Sequence, residues 1–445
     1  MKDIDFTTGK PIRSIFLFAL PVMASALLQF GYGIVNNIIV GRFVSGEALA
    51  AVGGVNPINS FIIGTSFGLA TGFAIPVAQH FGAKRHKEMN HHAGNAIALS
   101  AVVGFLVAAL AQVVSVPLLR AISTPEDIID LSVAYITILY LAVPFQVLYN
   151  VFAGIARAVG DSRRPLLFLL ISIICNLLLV LLFVVHFGWG VQGAALATLI
   201  SKIVPCVCAG IYVFRYNPVL QIKKGDLRLR RQTVATQLKL GVPVAMQFTI
   251  TSVGAMVLQR AVNGFGSSAV AAITVANQAE SITNIPMSGM GVALATFVAQ
   301  NFGAKQHMRI TQTVRHVFVL NIGVSMVCSA ILVTSGSWFV PLFMAQANAE
   351  IMQMANQYLF ITALCYSLVS ILFTMRNTLQ GLGFTYANMM AGAGEFFGRI
   401  AAAFILTPMF GFVGVSFAGP VAWLFADAAL LAIYWRKKTF ADKTA

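Results

Sequence analysis

Of the chain's 445 residues, 58% are hydrophobic and only 10% are charged, against roughly 25% charged in an ordinary soluble domain. That balance excludes a soluble enzyme or nucleic-acid-binding module and describes an integral membrane protein. The formal net charge of +15 therefore belongs to basic loops facing an anionic lipid surface, and no nucleic-acid partner is expected.

Windows of roughly 20 or more apolar residues mark membrane-spanning helices. Twelve are predicted, over 14–40, 48–80, 92–115, 129–155, 165–187, 191–214, 237–262, 268–300, 312–334, 350–378, 385–407 and 412–435. Their length and lack of strict alternation argue for helices rather than barrel strands. The run after Arg13 is too long for the apolar core of a signal peptide and reads as the first span. Taken in order, alternate connecting segments are basic: Lys10 and Arg13, then Lys84, Arg85 and Lys87, then Arg163 and Arg164, then Arg228, Arg230 and Arg231, then Lys305 and Arg309, then Arg376, then Arg436 and Lys437. The opposite ends hold only Arg42, Arg120 and Arg260. This asymmetry predicts a multi-pass protein of the bacterial plasma or inner membrane with both termini in the cytoplasm.

Cys175, Cys206, Cys208, Cys328 and Cys365 are scattered through apolar segments. None has metal-ligand spacing to a histidine, and they read as buried thiols. His86, His91 and His92 have Glu88 as their only acidic neighbour in sequence and read as a solvated basic loop. No metal and no cofactor beyond a transported ion is expected.

The chain repeats itself. Residues 237–305 are a diverged copy of 14–84: Pro243 answers Pro21, Asn277 answers Asn56, and Gln300–Lys305 (QNFGAK) answers Gln79–Lys84 (QHFGAK), at an offset near 221. Further on, Gln380-Gly381-Leu382-Gly383 answers Arg157-Ala158-Val159-Gly160, and Gly411-Phe412-Val413-Gly414 answers Gly190-Val191-Gln192-Gly193. The expected organisation is an N-terminal lobe over 1–214 with helices 1–6, a basic cytoplasmic linker over 215–236, and a C-terminal lobe over 237–445 with helices 7–12. Six spans per copy is an even number. The copies then share one orientation, related by a pseudo-twofold axis along the membrane normal with a cavity between them.

These segments carry a family resemblance. Leu20-Pro21 and Val242-Pro243, IVGRF at 39–43, GFAIPVAQHFGAK at 72–84, ARAVGDSRRP at 156–165 and ATFVAQNFGAK at 295–305 resemble the multidrug and toxic compound extrusion (MATE) transporters over essentially the whole chain. The resemblance implies an all-α transporter, not an enzyme, that exports cationic amphipathic compounds by alternating access, coupled to protons or sodium. It departs where the family's best-known coupling acids stand. Asn36 replaces the first-helix Asp of DinF-like members. Thr251 and Val369 replace the Glu and Asp of NorM-like members, and Gln380 replaces an end-of-span Arg.

Coupling is therefore read from the ionisable residues inside the spans, each costly in hydrocarbon and a functional candidate by default. Three acids qualify, all in the second half: Glu280, Glu395 and Asp427. Glu280 shares a helix face with Asn277, Ser281, Asn284 and Ser288 through intervals of three and four. A carboxylate among neutral oxygens suits sodium, and it suits proton exchange equally. Glu395 and Arg399, i and i+4, make either a structural ion pair or a switch released by a competing cation. Asp427 lies near the inner end of helix twelve, within reach of water or Lys437. Thr251 completes the cation-coupling set. The first half offers amides instead: Gln29, Asn36, Asn37, Asn59, Asn150 and Asn176. With Gln247, Met287, Tyr149 and Tyr366 they are the candidates for a substrate-cavity lining, although interhelical amide bonds explain each one singly.

Two functions compete. One is an exporter of small organic cations or toxic metabolites. The other is a flippase for a lipid-linked precursor, which needs several Arg or Lys in its cavity to hold pyrophosphate. Few basic residues fall within the spans, chiefly Lys202 and Arg399, and export is the reading favoured. Membrane lipids are the expected surroundings and a monomer the expected state. A catalytic constellation such as HExxH is missing from the sequence.

Overall fold

The computed structural model describes residues 4–121, 126–343 and 349–441, and these contain helices and turns without a strand. Helix α1 runs over Pro11–Phe43, α2 over Gly46–Gly82, α3 over His86–Ala121, α4 over Glu126–Leu141, α5 over Val143–Ala158, α6 over Arg163–Val180 and α7 over Gly190–Ile211. The series then begins again, with α8 over Arg231–Asn263, α9 over Ser267–Gly303, α10 over His307–Phe343, α11 over Ala349–Leu364, α12 over Tyr366–Gly381 and α13 over Tyr386–Ala401. Two short helices, α14 (Thr407–Phe410) and α15 (Phe412–Ser416), lead into α16 over Ala418–Ala441.

Among the described residues 10 helices are long and apolar enough to cross a membrane, and 12 spans result when each of two bent pairs counts as one. The predicted fourth and tenth spans are those pairs. They break after Leu141, with a bend of 43°, and after Leu364, with a bend of 54°. Pro144 in the first turn of α5 explains the first break, because its ring clashes with a continuing helix and it donates no hydrogen bond. The second break has no proline. Both tighten through the same three-residue turn, Ala142 N–H to Leu139 O and Cys365 N–H to Thr362 O.

The backbone repeats as the sequence does. Lys84 and Lys305 both adopt left-handed φ, at 57° and 59°. Each follows a helix closed by a six-residue return bond, Arg85 N–H to His80 O and Gln306 N–H to Asn301 O. That closure requires a left-handed residue just past the helix end, which is why FGAK ends both copies.

Packing divides the chain into two compact units: Ala24–Ala245 with the segment up to Asp5, and Phe6–Met23 with Met246–Ala445. Each unit thus contains the opening of the other copy's first helix. In the first unit, a Cβ on Gly68 or Gly72 of α2 would lie 2.7 or 2.3 Å from the Cα of Ala245 or Gly241 of α8. In the second unit, a Cβ on Gly289 of α9, the counterpart of Gly68, would lie 2.5 Å from Met23 Cγ. Small residues at these crossings let the helices approach closely.

The chain leading into each of these helices is also tied down. In the second unit Phe6 is fully buried against the rings of Phe18 and Phe297, at 5.2 and 5.7 Å, and its N–H donates to Gln300 Oε1 at 3.0 Å. In the first unit Asn95 of α3 donates to the carbonyls of Asp226 and Arg228 and accepts from Arg230 N–H. Two of the three histidines expected in a solvated loop belong to this grip, and His86 is exposed at the start of α3. His91 and His92 lie inside α3, which starts earlier than hydropathy suggests. His91 stands 3.7 Å from Asp226, and His92 stacks on His80 of α2 with centroids 4.9 Å apart.

Candidate functional site

The α9 residues Asn277, Glu280, Ser281 and Asn284 recur at helical spacing and so share one face. In the second unit that face opens on a cavity of about 250 Å³. Tyr358 of α11, Arg399 of α13 and Trp423 of α16 complete its polar and aromatic wall, and apolar side chains of α8 such as Leu258 and Val262 complete the rest. The Asn284 and Tyr358 side chains face the Glu280 carboxyl. Tyr358 OH donates to Asn277 Oδ1 at 3.3 Å. Tyr366, fully buried at the start of α12, donates to Asn284 Oδ1 at 2.9 Å and meets Thr283 Oγ1 at 2.6 Å. The tyrosines thus fix the two amide oxygens beside Glu280, and Trp423 packs edge-on against Tyr366 at 6.1 Å.

Opposite Glu280 stands the guanidinium of Arg399. Its Nη1 donates to the Thr251 carbonyl at 2.6 Å, and its Nη2 lies 3.7 Å from Glu395 Oε2. The other Glu395 oxygen accepts a hydrogen bond from Arg376. Arg376 was expected in a connecting segment. It lies near the end of the predicted span 350–378, and the structure continues that helix to Gly381 and turns the Arg376 side chain inward, largely buried against Glu395. Asp427 is only 3% exposed, and neither of its carboxylate oxygens has a hydrogen-bond partner. Its charged neighbours are Arg376 and Glu395.

Of the cation-coupling candidates, Glu280, Asn277, Asn284 and Arg399 therefore share one cavity. Thr251 touches it through Arg399, and Glu395 and Asp427 lie behind that arginine. The cavity-lining candidates are more dispersed. Gln247 is buried where α8 crosses Gly392 of α13, and Met287 is fully enclosed. In the first unit Asn176 donates to Ser201 Oγ at 3.1 Å, Asn150 accepts from Gln146 at 3.1 Å, and Tyr149 OH donates to the Pro165 carbonyl at 3.0 Å. Gln29 is exposed and turns back to the Ser25 carbonyl, Asn59 is half-buried, and Asn36 is half-buried with its Oδ1 unpartnered. The side chains of Asn37, Asn56 and Lys437 lie outside the described residues.

Sequence reasoning passed over Tyr358, Trp423 and Arg376. Tyr358 stands eight residues before Tyr366, and Trp423 four before Asp427; those spacings carried the signal. Among the described residues no group of three or more His, Cys, Asp or Glu is placed to hold a metal ion. One carboxylate, two amide oxygens and two kinds of hydroxyl can hold a proton or a hard monovalent cation, with a guanidinium as built-in competitor.

The MatE family model matches residues 21–182 and 243–405, once in each copy of the repeat. The chain is 29% identical to "Probable multidrug resistance protein YoeA" of Bacillus subtilis, over 96% of this chain and 94% of that protein. It is 24% identical to the multidrug export protein MepA of Staphylococcus aureus, over 96% and 95%. A structure described as the outward-facing conformation of a multidrug resistance MATE family transporter of the MOP superfamily superposes with a TM-score of 0.92 at 21% identity, covering 100% of this chain and 99% of that one. That likeness shows the fold.

Proposed function

The chain belongs to the MatE family, a transporter and not an enzyme, and from that premise we propose that it is an antiporter in which a proton or sodium ion bound at Glu280 drives export of organic cations and drugs. The observation that carries this reading is the cavity of about 250 Å³ around one carboxylate and several neutral oxygens. Drug-sized sites run to about 300–1,000 Å³, so this cavity suits the coupling ion and its ligands better than a whole drug. The names of the YoeA and MepA relatives support multidrug export. Few basic residues fall within the spans to hold a lipid-linked pyrophosphate, and Arg376 and Arg399 already face Glu395, which disfavours lipid flipping.

In this mechanism the ion displaces Arg399 from the field of Glu280. The unit's preferred packing then changes and substrate affinity falls. Reciprocity requires the substrate to weaken ion binding by the same factor. The basic connecting segments support a plasma-membrane location with cytoplasmic termini, so the ion would enter from outside and the substrate from the cytoplasm or inner leaflet.

The test is efflux of a fluorescent organic cation from liposomes holding the purified protein, under a sodium gradient alone and a pH gradient alone. Efflux driven by one gradient and lost in Glu280→Gln is the expected result and names the ion. Efflux unchanged in Glu280→Gln overturns the assignment of the site. Absence of transport under both gradients overturns antiport of this substrate class.

A further inference from the structure

Behind the cavity lies a second carboxyl that the mechanism above does not use. The register of α13 against α16 locates it. A Cβ on Gly398 would lie 2.5 Å from Ala422 Cα, and one on Gly394 would lie 2.9 Å from Ala426 N, so the two helices run antiparallel. Arg399 and Trp423 line the cavity. Glu395, one turn before Arg399, and Asp427, one turn after Trp423, then lie about 6 Å deeper and within about 3 Å of each other in height, at 1.5 Å per residue. Arg376, ten residues past the start of α12, reaches Glu395 from that helix.

Among the described residues the charges in this interior do not balance. Three carboxyls, Glu280, Glu395 and Asp427, face two guanidiniums, Arg376 and Arg399. Glu395 touches both guanidiniums. Glu280 has amide and hydroxyl partners and an open cavity. Asp427 is enclosed at 3% exposure with both oxygens unpartnered. A buried carboxylate without donors is far more costly than a neutral carboxyl, and a single monovalent positive charge balances the set.

We propose that Asp427 is a second proton-binding site, sharing one proton with Glu280 across the Arg376–Glu395–Arg399 chain. At rest the proton is on Asp427 and Glu280 is ionised and open. A cation arriving at Glu280 leaves the set one positive charge in excess. The O–H bond on Asp427 then breaks, the carboxylate keeps the electron pair, and the proton passes to water. Arg376 turns toward the new carboxylate. The inference rests on the reading of Glu280 as the coupling carboxyl and adds where the resting proton sits.

Infrared difference spectroscopy of the reconstituted full chain, without substrate, tests it through the C=O stretch of a protonated carboxyl. The wild type at neutral pH should show that band, and Asp427→Glu should shift its frequency. Asp427→Asn, close to isosteric, should lose it. Glu280→Gln should lose most of it, because two carboxylates then balance two guanidiniums and Asp427 ionises. A wild type without the band overturns the proposal. A band unmoved in Asp427→Glu places the proton elsewhere and overturns the site. A band intact in Glu280→Gln overturns the sharing and leaves Asp427 as a buried neutral acid. Because no substrate is present, these outcomes stand apart from the efflux test, and either reading can fail alone.

Discussion

The two units share a framework and differ in what they enclose. Both bend their fourth span at the same place, both widen into a π-helical turn after the following helix, at Leu181–His186 and Ala402–Leu406, and both end their second span on a left-handed lysine. With the offset of 223 residues between Gly160 and Gly383, Glu395 and Arg399 correspond to Ser172 and Asn176, and Arg376 to Ala153. With the offset of 221 seen at Lys84 and Lys305, Glu280 corresponds to Asn59 and Asp427 to Cys206. In the first unit the equivalent interface closes with neutral groups: Ser172 donates to the Ser201 carbonyl at 2.5 Å and Asn176 to its hydroxyl at 3.1 Å. At this interface, then, the first unit closes without an ion pair. Buried ion pairs are weak contributors to stability compared with well-packed neutral residues, so the charges of the second unit are there for what they do.

The comparison breaks most visibly in transport. Glu280→Gln should abolish gradient-driven efflux and remove the ion's effect on substrate affinity, a factor of about 5–150 for typical coupling free energies, whereas Asn59→Gln should retain both; liposome efflux and equilibrium substrate binding read them. Next comes stability. Arg376→Ala leaves Glu395 short of a buried partner and should cost about 3–5 kcal/mol in denaturant unfolding of the detergent-purified protein. Converting the trio to the first unit's residues (Arg376→Ala, Glu395→Ser and Arg399→Asn together) should recover most of that loss while leaving efflux uncoupled. Gly398→Ala, at the tight α13–α16 crossing, should cost about 1–3 kcal/mol from overpacking, while Cys175→Ala at the corresponding place should cost less in the same assay. Smallest is Asn176→Ala, which removes one neutral interhelical bond worth roughly 0.6 kcal/mol within a membrane bundle.

Much of this was legible beforehand. Hydropathy gives the twelve spans because lipid demands long apolar helices, and FGAK gives the repeat because its closure needs a fixed geometry. Glu280 with Asn277 and Asn284 could be grouped because one helix carries them at its own period. Tyr358, Trp423 and Arg399 reach the same cavity from three other helices, and periodicity along one helix says nothing about its neighbours. Arg376 escapes for a related reason: a hydropathy window sees an arginine near a span's end and cannot tell one that turns inward to a buried carboxylate from one that faces the cytoplasm. The exchange of helix openings between the units was equally hidden, since Gly68 and Gly289 advertise a close approach without naming the partner.

That exchange sets an order of events during synthesis. The face of α2 at Gly68 is completed when Ala245 emerges, 177 residues later, and the first unit can then close. Residues 6–23 are made first, yet the face they cover at Gly289 lies 266 residues beyond Met23. At about 5–20 residues per second the opening of α1 waits roughly 13–50 s for its site to exist. Until then its small and apolar face is a client for the insertion machinery, and a ribosome that stalls between the copies leaves a chain whose earliest segment has nowhere to dock.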